Sequence, residues 1–524
     1  MKYLKAVLTL ISALVLIAAF ASGTLACTGV YVGKKVSADG TTLIARSEDC
    51  HPCFAPKKTE IVKSSDEKGR VVKQVTNKFE YKLPDHTYAY YGIPNTELRE
   101  KEEGRFDAGV MNEKGLSATA TVTGYICEEA KSADPYDIDG FAEESISGII
   151  GACAATPKEA IELIASIIDE YGSKESNILM AANDKEAWYM EIYTGHQYAA
   201  VRLPEDMVAG FGNEFMLGTL DDFEETITSR DLFTLPNKKG FAVYTSDGEM
   251  DISATYAGAN RLNDYANMRT WYAHKTFAPS SAGEYTTLTR YPLLYKPDHK
   301  VSLNEVMKLF GSRFEGTQYC PEETGSEKTR VIGTETQTHV HIMQVYDNMP
   351  DEYNSVCWLS LAQAECSVFV PVFKGITRHI PEYTYDLKED KMTDKSASCV
   401  FKKLDTLCAV DRLLYKDNVV GYWDKVQKQL ISSAGSIMKN AGKMDKKDVP
   451  EYLTKYDVKY ERAAVDDART LSEDVITAMA YNTDTLAYRF SYPTLYMSDQ
   501  RTEKRKTEVS LNEKDISKKY GIDN

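Results

Sequence analysis

Cys27 is the residue whose type and position most directly suggest chemistry. It follows a stretch with the layout of a secretory signal, in which a basic start precedes an apolar run over residues 6–20 and small residues end at Ala26. The apolar run is shorter than the roughly 20 residues that a membrane-spanning helix needs. The sequence therefore predicts a signal peptide over residues 1–26, cleavage after Ala26, and a secreted or periplasmic protein with Cys27 at its amino terminus.

Three roles are open for a cysteine at that position. A thiol has a pKa near 8.5 and an α-amine one of about 7.7 to 8.0, so the free amine of Cys27 could act as the base for its own thiol. Alternatively, Cys27 is the lipid-anchored residue of a bacterial lipoprotein, although Leu25 stands one place too late for a good lipidation motif. In the third interpretation Cys27 is a disulfide cysteine.

The remaining cysteines bear on the redox state of the chain. The sequence has ten cysteines, and a secreted protein is expected to oxidise them. Cys50 and Cys53 form a Cys-x-x-Cys motif, which is redox-active in some proteins. The residues that follow, among them Pro56, do not begin a helix cleanly, which favours a structural disulfide. Pairs are predicted among cysteines 50, 53, 127, 153, 320, 357, 366, 399 and 408, with far fewer than ten free thiols.

His339 and His341 are the other candidate metal ligands. They alternate as on a strand, with both rings on one face, and no helical His-Glu-x-x-His frame surrounds them. A structural histidine pair is favoured, and no metal site is predicted.

Two β-prone segments directly follow Cys27. Residues 28–32 and 41–46 flank a turn-rich stretch ending in Asp-Gly, which predicts a hairpin. If the eight residues between them form the loop, Val32 pairs with Thr41 and Cys27 lies opposite Arg46. Arg46 and Asp49 would then lie beside the new terminus, the arginine holding the thiolate and the aspartate the amine. The alternative is an exposed Arg-Asp pair at a strand end.

Several segments, in the same order along the chain, resemble the secreted cysteine-type dipeptidases. These enzymes belong to the N-terminal-nucleophile hydrolase superfamily, together with the penicillin V acylases and bile salt hydrolases. The resemblance covers roughly residues 27–385. It is carried by Cys-Thr-Gly at 27–29, DGTTLIAR at 39–46, MNEKGL at 111–116, EAWYMEIYTGHQYAAVRLP at 186–204, GNEFMLGTLDD at 212–222, TETQTHVHIMQ at 334–344 and VPVFKGITR at 370–378.

The resemblance implies a set of catalytic residues. Cys27 would be nucleophile and base, held by Arg46 and Asp49. Asn213 would donate from its side chain to the oxyanion of the tetrahedral intermediate, unless it is a turn asparagine after Gly212.

Two further site assignments follow from the same resemblance. Arg269 resembles a later site arginine, with Arg261 as its rival and either one a plausible partner for a substrate carboxylate. The second oxyanion donor would be a backbone N–H near Thr121 or Val122. The implied reaction is acyl transfer through a thioester and needs no metal or organic cofactor.

The resemblance implies an α+β fold, a four-layer αββα sandwich of two antiparallel sheets between helical layers. Hydrophobic patterning agrees with this expectation. It predicts helices at 143–155 and 157–171, the second opened by a Thr156–Glu159 capping box, another helix opened by Ser302 to Glu305, and strands at 178–182, 187–193 and 197–203.

The predicted domain organisation has four parts. Residues 1–26 form the signal peptide and residues 27–400 the hydrolase core. Residues 401–498 form a C-terminal helical extension packed on the core, with helices at 405–415, 419–441 and 451–480. Residues 499–524 form a charged, loosely held tail.

Composition limits the classes of partner. The chain has 524 residues, 43% of them hydrophobic, enough for a large core. Its 62 basic and 78 acidic residues give a net charge of -16, which repels phosphate backbones and anionic lipid surfaces. We therefore expect a dipeptide or short-peptide substrate, no nucleic acid and no membrane span, while a homo-oligomer remains open. The leading interpretation is a secreted dipeptidase; a bile salt or penicillin amidase and a lipid-anchored binding protein are the alternatives.

Overall fold

The computed structural model describes residues 24–25, 27–51, 54–120, 122–325, 329–491 and 504–523. The predicted signal segment, apart from the backbone of Thr24–Leu25, lies outside these residues. Within them, no helix is both long enough and apolar enough to cross a bilayer.

Two antiparallel sheets form the centre of the molecule. The first sheet runs, in spatial order, β13 (Val208–Phe211), β2 (Thr28–Val32), β3 (Thr42–His51), β15 (Gln337–Val345), β16 (Ser355–Leu361) and β17 (Val370–Phe373), with β1 (Thr24–Leu25) also paired to β3. The second runs β14 (Thr226–Thr228), β12 (Tyr198–Arg202), β11 (Ala187–Ile192), β10 (Asn177–Ala182), β9 (Ser117–Ala120), β8 (Gly109–Asn112), β7 (Tyr90–Gly92) and β4 (Glu60–Val62). A separate ribbon joins β5 (Val71–Lys73) to β6 (Glu80–Lys82).

The described α-helices lie around these sheets. They are α1 (Glu97–Glu103), α2 (Glu128–Ala133), α3 (Glu143–Cys153), α4 (Pro157–Tyr171), α5 (Thr234–Lys239), α6 (Ile252–Ala257), α7 (Asp264–Phe277), α8 (Pro279–Ala282), α9 (Leu303–Gly311), α10 (Pro321–Thr324), α11 (Ala397–Ala409), α12 (Arg412–Tyr415), α13 (Asp417–Ala441), α14 (Val449–Ser491) and α15 (Ile516–Tyr520). Short 3-10 turns occupy Gly258–Leu262, Asp351–Tyr353, Ala364–Cys366 and Glu513–Asp515.

The helices contact the sheets in separate groups. Helices α3 and α4 pack on the second sheet, α7 packs on β13, and α11, α13 and α14 contact β16 or β17. Strand β3 of the first sheet contacts β9 and β10 of the second. Strands of both sheets are buried along almost their whole length where they meet, because apolar side chains fill the space between them. The mixed α+β class is confirmed, and the four-layer order stays a prediction.

The capping signals identify helix starts accurately. Helix α4 begins at Pro157, as predicted, and the Thr156 side chain accepts a hydrogen bond from Glu159 N. The reciprocal half of that predicted box is wrong, because the Glu159 carboxylate accepts from Ala155 N instead. At α9 both halves form between Ser302 and Glu305.

The predicted hairpin forms with a different register. Val32 lies opposite Leu43 and Gly29 opposite Arg46, so the predicted pairing is shifted by two residues because the loop is longer. Side chains alternate with a period of two along a strand, and a shift of two therefore leaves every side chain on its predicted face. Thr24 pairs with His51 in the same register, which extends the ladder to the far side of Cys27.

The predicted domain boundary at residue 400 falls inside a helix. Helix α11 begins at Ala397, because Ser396 accepts a hydrogen bond from Cys399 N and caps its first turn. The helix predicted at 405–415 is two helices, α11 and α12. The polypeptide therefore passes from the first sheet into the helical part with no break at residue 400.

The C-terminal segment is not loosely held. Tyr520 is fully buried, and its hydroxyl donates to Asp467 at 2.7 Å. Upstream, Thr507 N donates to Leu414 O at 3.1 Å. The prediction of a loose tail is wrong for residues 504–523, since apolar residues hidden in a Lys- and Glu-rich segment bury themselves against α13 and α14.

Candidate active site

Cys27 lies immediately before β2 with its side chain buried, 1% exposed. Arg46 of the neighbouring strand β3 donates from Nη2 to Cys27 Sγ at 3.2 Å. Burial raises the pKa of the Cys27 thiol to about 11, an effect that Arg46 opposes and that Asp49 and Glu48 reinforce. The thiol is therefore protonated at neutral pH, and chemistry at its sulfur requires a base.

A buried network of charges positions the Arg46 guanidinium. Arg46 Nη1 donates to Glu48 Oε2 at 3.2 Å, and the other Glu48 oxygen pairs with Lys57 Nζ at 2.8 Å. Lys57 also donates to Asn95 Oδ1 at 2.6 Å. The Phe106 ring lies 4.6 Å from Lys57 Nζ and 5.5 Å from Arg46 Cζ.

This network favours the charged form of the Glu48 carboxylate despite its burial. Burial alone would raise the pKa of the Glu48 carboxyl, but Lys57 and Arg46 hold that pKa below its usual value. Sequence reasoning did not assign roles to Glu48 or Lys57. The signal for Glu48 was available, because Arg46 and Glu48 carry opposite charges two residues apart and therefore share one face of β3.

Asp49 pairs with a residue that sequence reasoning did not identify. Its Oδ2 accepts a hydrogen bond from Arg330 Nη2. Its Oδ1 is buried and has no hydrogen-bond partner among the described atoms. Burial raises the pKa of Asp49, against the opposing charges of Arg330, Arg269 and Arg46. A carboxylate oxygen thus remains available close to Cys27, whose thiol pKa it raises.

Arg269 connects the thiol-bearing residue to the predicted oxyanion donor. Its Nη1 donates to Cys27 O at 2.6 Å and to Thr28 Oγ1 at 3.1 Å, and its Nη2 donates to Asn213 Oδ1 at 2.8 Å. Asn213 Nδ2 donates to Thr123 O at 3.0 Å. Asn213 Oδ1 accepts the hydrogen bond from Arg269, and this contact fixes the orientation of the amide. The Asn213 Nδ2 group therefore points away from Arg269.

The contacts of Arg269 bear on its predicted role. The residue is fully buried, and burial together with the nearby Arg330 lowers its pKa to about 10. Its guanidinium donates to protein oxygens, an arrangement typical of a positioning residue, and its binding of a substrate carboxylate stays a prediction. The side chain of its rival, Arg261, lies outside the described part of the chain.

Of the two candidate backbone oxyanion donors, one lies in the described part of the chain. Val122 N donates to Ile178 O at 3.0 Å, so this N–H serves the backbone hydrogen-bonding of the second sheet. Thr121, the other candidate, lies outside the described residues.

His339 and His341 on β15 contact each other and form a buried structural pair. His339 Nε2 lies 3.1 Å from His341 Nδ1, and the rings stack with centroids 5.2 Å apart. His341 Nε2 lies 2.7 Å from Thr119 Oγ1 of the second sheet. Burial lowers the pKa of both rings well below the usual range, so they are neutral. Their placement on one face of β15 is confirmed.

The cysteines contradict the expectation of widespread oxidation. Cys50 is disulfide-bonded, and its partner is not among the described residues. Eight cysteines are free thiols, namely residues 27, 127, 153, 320, 357, 366, 399 and 408. Six of the eight are buried, which explains their persistence: a free cysteine in a core behaves as a small apolar side chain.

Thiol counting checks this corrected cysteine pattern. We expect a thiol reagent in denaturant, without reductant, to modify all eight of the cysteines that are free in the structure. In native buffer the partly exposed Cys127 and Cys153 should react faster than the five buried thiols other than Cys27, at residues 320, 357, 366, 399 and 408. Four or fewer reactive thiols in denaturant would instead restore the original expectation of several disulfides.

Comparison with known proteins identifies the family of this chain. The model of peptidase family C69 matches residues 26–425. The chain is 32% identical to probable dipeptidase B of Streptococcus pyogenes serotype M1 over 426 residues, which is 78% of this chain and 83% of the relative. It is 27% identical to a probable dipeptidase of Latilactobacillus sakei over 384 residues, 71% of this chain and 78% of the relative.

Among solved structures, a variant of the conjugated bile acid hydrolase of Clostridium perfringens aligns with 71% of this chain and 98% of its own, at 12% identity and a TM-score of 0.33. The family match covers most of the chain and includes every predicted site residue. The protein is therefore a member of peptidase family C69.

Proposed function

We propose that this peptidase is a secreted dipeptidase that uses Cys27 as an N-terminal nucleophile. The observation that carries the proposal is that the predicted site residues meet at Cys27. Arg46 donates a hydrogen bond to its sulfur, and Arg269 donates to both its carbonyl oxygen and Asn213 Oδ1. A nucleophile, a cation beside it and an amide donor held by a second cation are the parts that acyl transfer requires.

Removal of residues 1–26 would supply the missing base. The Cys27 thiol has a raised pKa and must lose its proton before attack. The new α-amine, with a pKa of about 7.7 to 8.0, accepts that proton within the same residue. Asp49 supports the amine in this proposal, since its buried Oδ1 lacks a hydrogen-bond partner among the described atoms.

The reaction then follows from these positions. The Cys27 sulfur attacks the scissile carbonyl carbon, and the carbonyl electrons move to the oxygen, which accepts a hydrogen bond from Asn213 Nδ2. The ammonium returns its proton to the leaving amine as the C–N bond breaks, which leaves a thioester. Water, deprotonated by the same amine, hydrolyses the thioester and regenerates the thiol.

The substrate assignment rests on the relatives. Both bacterial relatives described above are named probable dipeptidases, and they match most of this chain. A dipeptidase must recognise a free amine and a free carboxylate on either side of the scissile bond, whereas an amidase needs an apolar acyl pocket. The proposal includes secretion and a free amino terminus at Cys27. Lipid anchoring through Cys27 is the alternative.

A substrate panel tests the proposal. We expect the mature protein to hydrolyse unblocked dipeptides and to lose at least about tenfold in kcat/KM when either terminus is blocked, which corresponds to one lost charged contact of ~1.4 kcal/mol or more. The measurement is amino-acid release from free, N-acetylated and C-amidated forms of one dipeptide. Hydrolysis of glycocholate or penicillin V, with no action on dipeptides, would replace the dipeptidase by an amidase.

A further inference from the structure

A second cluster of ionisable side chains lies apart from the residues around Cys27. His379 follows β17, and Asp457 and Glu461 lie one turn apart on α14. His379 Nδ1 is 2.6 Å from Glu461 Oε1 and 3.6 Å from Asp457 Oδ2. All three side chains are buried, at most 1% exposed. One potential ligand atom from each residue lies within 4.8 Å of the others.

The backbone orients both carboxylates toward His379. Phe373 N donates to Asp457 Oδ1 at 3.1 Å, and Ile380 N donates to Glu461 Oε2 at 2.9 Å. Each carboxylate thus has one oxygen fixed by a backbone N–H and the other directed at the imidazole. Ligating carboxylates in metal sites are oriented by outer hydrogen bonds of this kind.

His379 is the member of the cluster that can carry a positive charge, and its Nδ1 is bonded to Glu461 Oε1, so the Asp457 carboxylate has no cation within hydrogen-bond distance in the described part of the chain. Asp457 Oδ2, His379 Nε2 and the hydroxyl of the flanking Tyr383 are buried there without hydrogen-bond partners. Placing two carboxylates together in an interior is strongly unfavourable without a cation or a proton to neutralise them.

Arg462 is the nearby arginine on the same helix, and it does not neutralise the cluster. It is half-exposed and donates to Glu382 at 2.7 Å. The remaining ways to reduce the buried negative charge are a bound cation, protonation of His379 and protonation of a carboxyl.

We propose that His379, Asp457 and Glu461 bind one divalent first-row transition-metal ion, with Zn²⁺ and Mn²⁺ as the ions that suit this donor set. One imidazole nitrogen and two carboxylate oxygens match these ions, whereas sites for Ca²⁺ and Mg²⁺ are built from oxygen ligands. Metal bonds of about 2.0 to 2.2 Å separate neighbouring ligand atoms by roughly 3 to 3.5 Å. The observed separations of 2.6 and 3.6 Å from His379 Nδ1 lie just below and just above that range, so an ion would require small shifts of the side chains.

The ion would have a structural role. It would join α14 to the segment that follows β17, and so hold the helical part of the chain to the first sheet. It takes no part in the chemistry at Cys27, in keeping with the cofactor-free reaction proposed there. Because its ligands come from segments about 80 residues apart, the ion would bind as the chain folds.

Refolding of the wild-type protein provides the first test. The protein is unfolded in guanidinium chloride with a chelator, freed of metal and refolded with Zn²⁺, with Mn²⁺ or with neither. We expect about one bound ion per chain by elemental analysis and a Tm that rises by a few degrees relative to the metal-free sample. No retained ion and an unchanged Tm would overturn the proposal and leave a carboxyl pair that shares a proton.

A pair of variants separates this site from adventitious binding at free thiols. Asp457→Asn keeps the acceptor for Phe373 N but removes a charged ligand, and it should lose the bound ion and the Tm increase. Glu451→Gln is the matched control, since Glu451 lies on the same helix and makes an exposed pair with Arg378 at 3.0 Å. It should retain both. Equal metal content in wild type and Asp457→Asn would overturn the proposal.

Cobalt substitution gives a readout that does not depend on the folding of any variant. The Co²⁺ form of the wild-type protein should show ligand-field bands of nitrogen and oxygen coordination without a thiolate charge-transfer band. A thiolate band from the bound ion would assign the metal to cysteines and refute the site.

Discussion

Cys27→Ser should lower kcat by about 10⁴-fold or more, because the hydroxyl of serine is a far weaker acid than a thiol and the α-amine is a poorly matched base for it. The replacement is nearly isosteric, and Oγ can accept the hydrogen bond from Arg46 Nη2 that Sγ accepts now. We therefore expect the free energy of unfolding to stay within about 1 kcal/mol of wild type. Steady-state hydrolysis of a dipeptide and thermal unfolding measure the two effects.

Cys127→Ser is the matched control for that substitution. Cys127 is also a free thiol, but its Sγ contacts Thr255 O at 3.5 Å, away from the Arg46 network. Its replacement should leave kcat within about twofold of wild type.

The terminus itself gives a second measurement. An N-terminal mass spectrum should begin at an unmodified Cys27, and the rate should rise with pH through about 7.7 to 8.0 as the amine becomes a free base. Active enzyme that still carries residues ahead of Cys27 would rule out this role, and an acylated Cys27 would favour a lipid anchor.

Asn213→Ala is expected to have the next largest effect. Loss of one oxyanion donor typically lowers kcat by ~10² to 10³-fold, while KM changes little because the ground-state carbonyl gains less from that bond. The substitution also leaves Arg269 Nη2 without its acceptor at 2.8 Å. That loss should reduce the free energy of unfolding by about 1 to 3 kcal/mol.

Asn183→Ala separates the two consequences of losing Asn213. Asn183 is a buried asparagine whose Oδ1 accepts hydrogen bonds from Lys185 N and Glu186 N, both at 2.9 Å, in the turn between β10 and β11. Its loss should destabilise the fold without a comparable change in kcat. If both variants reduce kcat equally, Asn213 acts only through the fold and the oxyanion assignment fails.

The site shows which contacts local sequence reasoning can predict. The hairpin was predicted with the wrong register, yet Arg46 contacts Cys27, because a shift of two residues preserves the face of a strand. Arg269 lies 242 residues from Cys27 in sequence, and no local pattern places it there. Its assignment came from the family resemblance, and so did that of Asn213.

Other contacts depend on tertiary packing that no segment encodes alone. Lys57 reaches Glu48 because Asn95 and Phe106 surround its side chain, and Arg330 reaches Asp49 from a distant loop. The prediction of several disulfides was wrong for a related reason. The expected disulfides followed from the compartment, whereas most of the free cysteines are buried side chains of the core.

The pairing of Thr24 and Leu25, the described residues ahead of Cys27, bears on the timing of the proposed maturation. Thr24 and Leu25 pair with β3 in the register that Thr28 continues, so the ladder extends on both sides of Cys27. A protease needs an unpaired, accessible segment, and backbone pairing to β3 on both sides of Cys27 works against such access. If the chain is processed after Ala26 as proposed, cleavage and closure of the hairpin compete in time. The yield of mature enzyme would then depend on which event is faster.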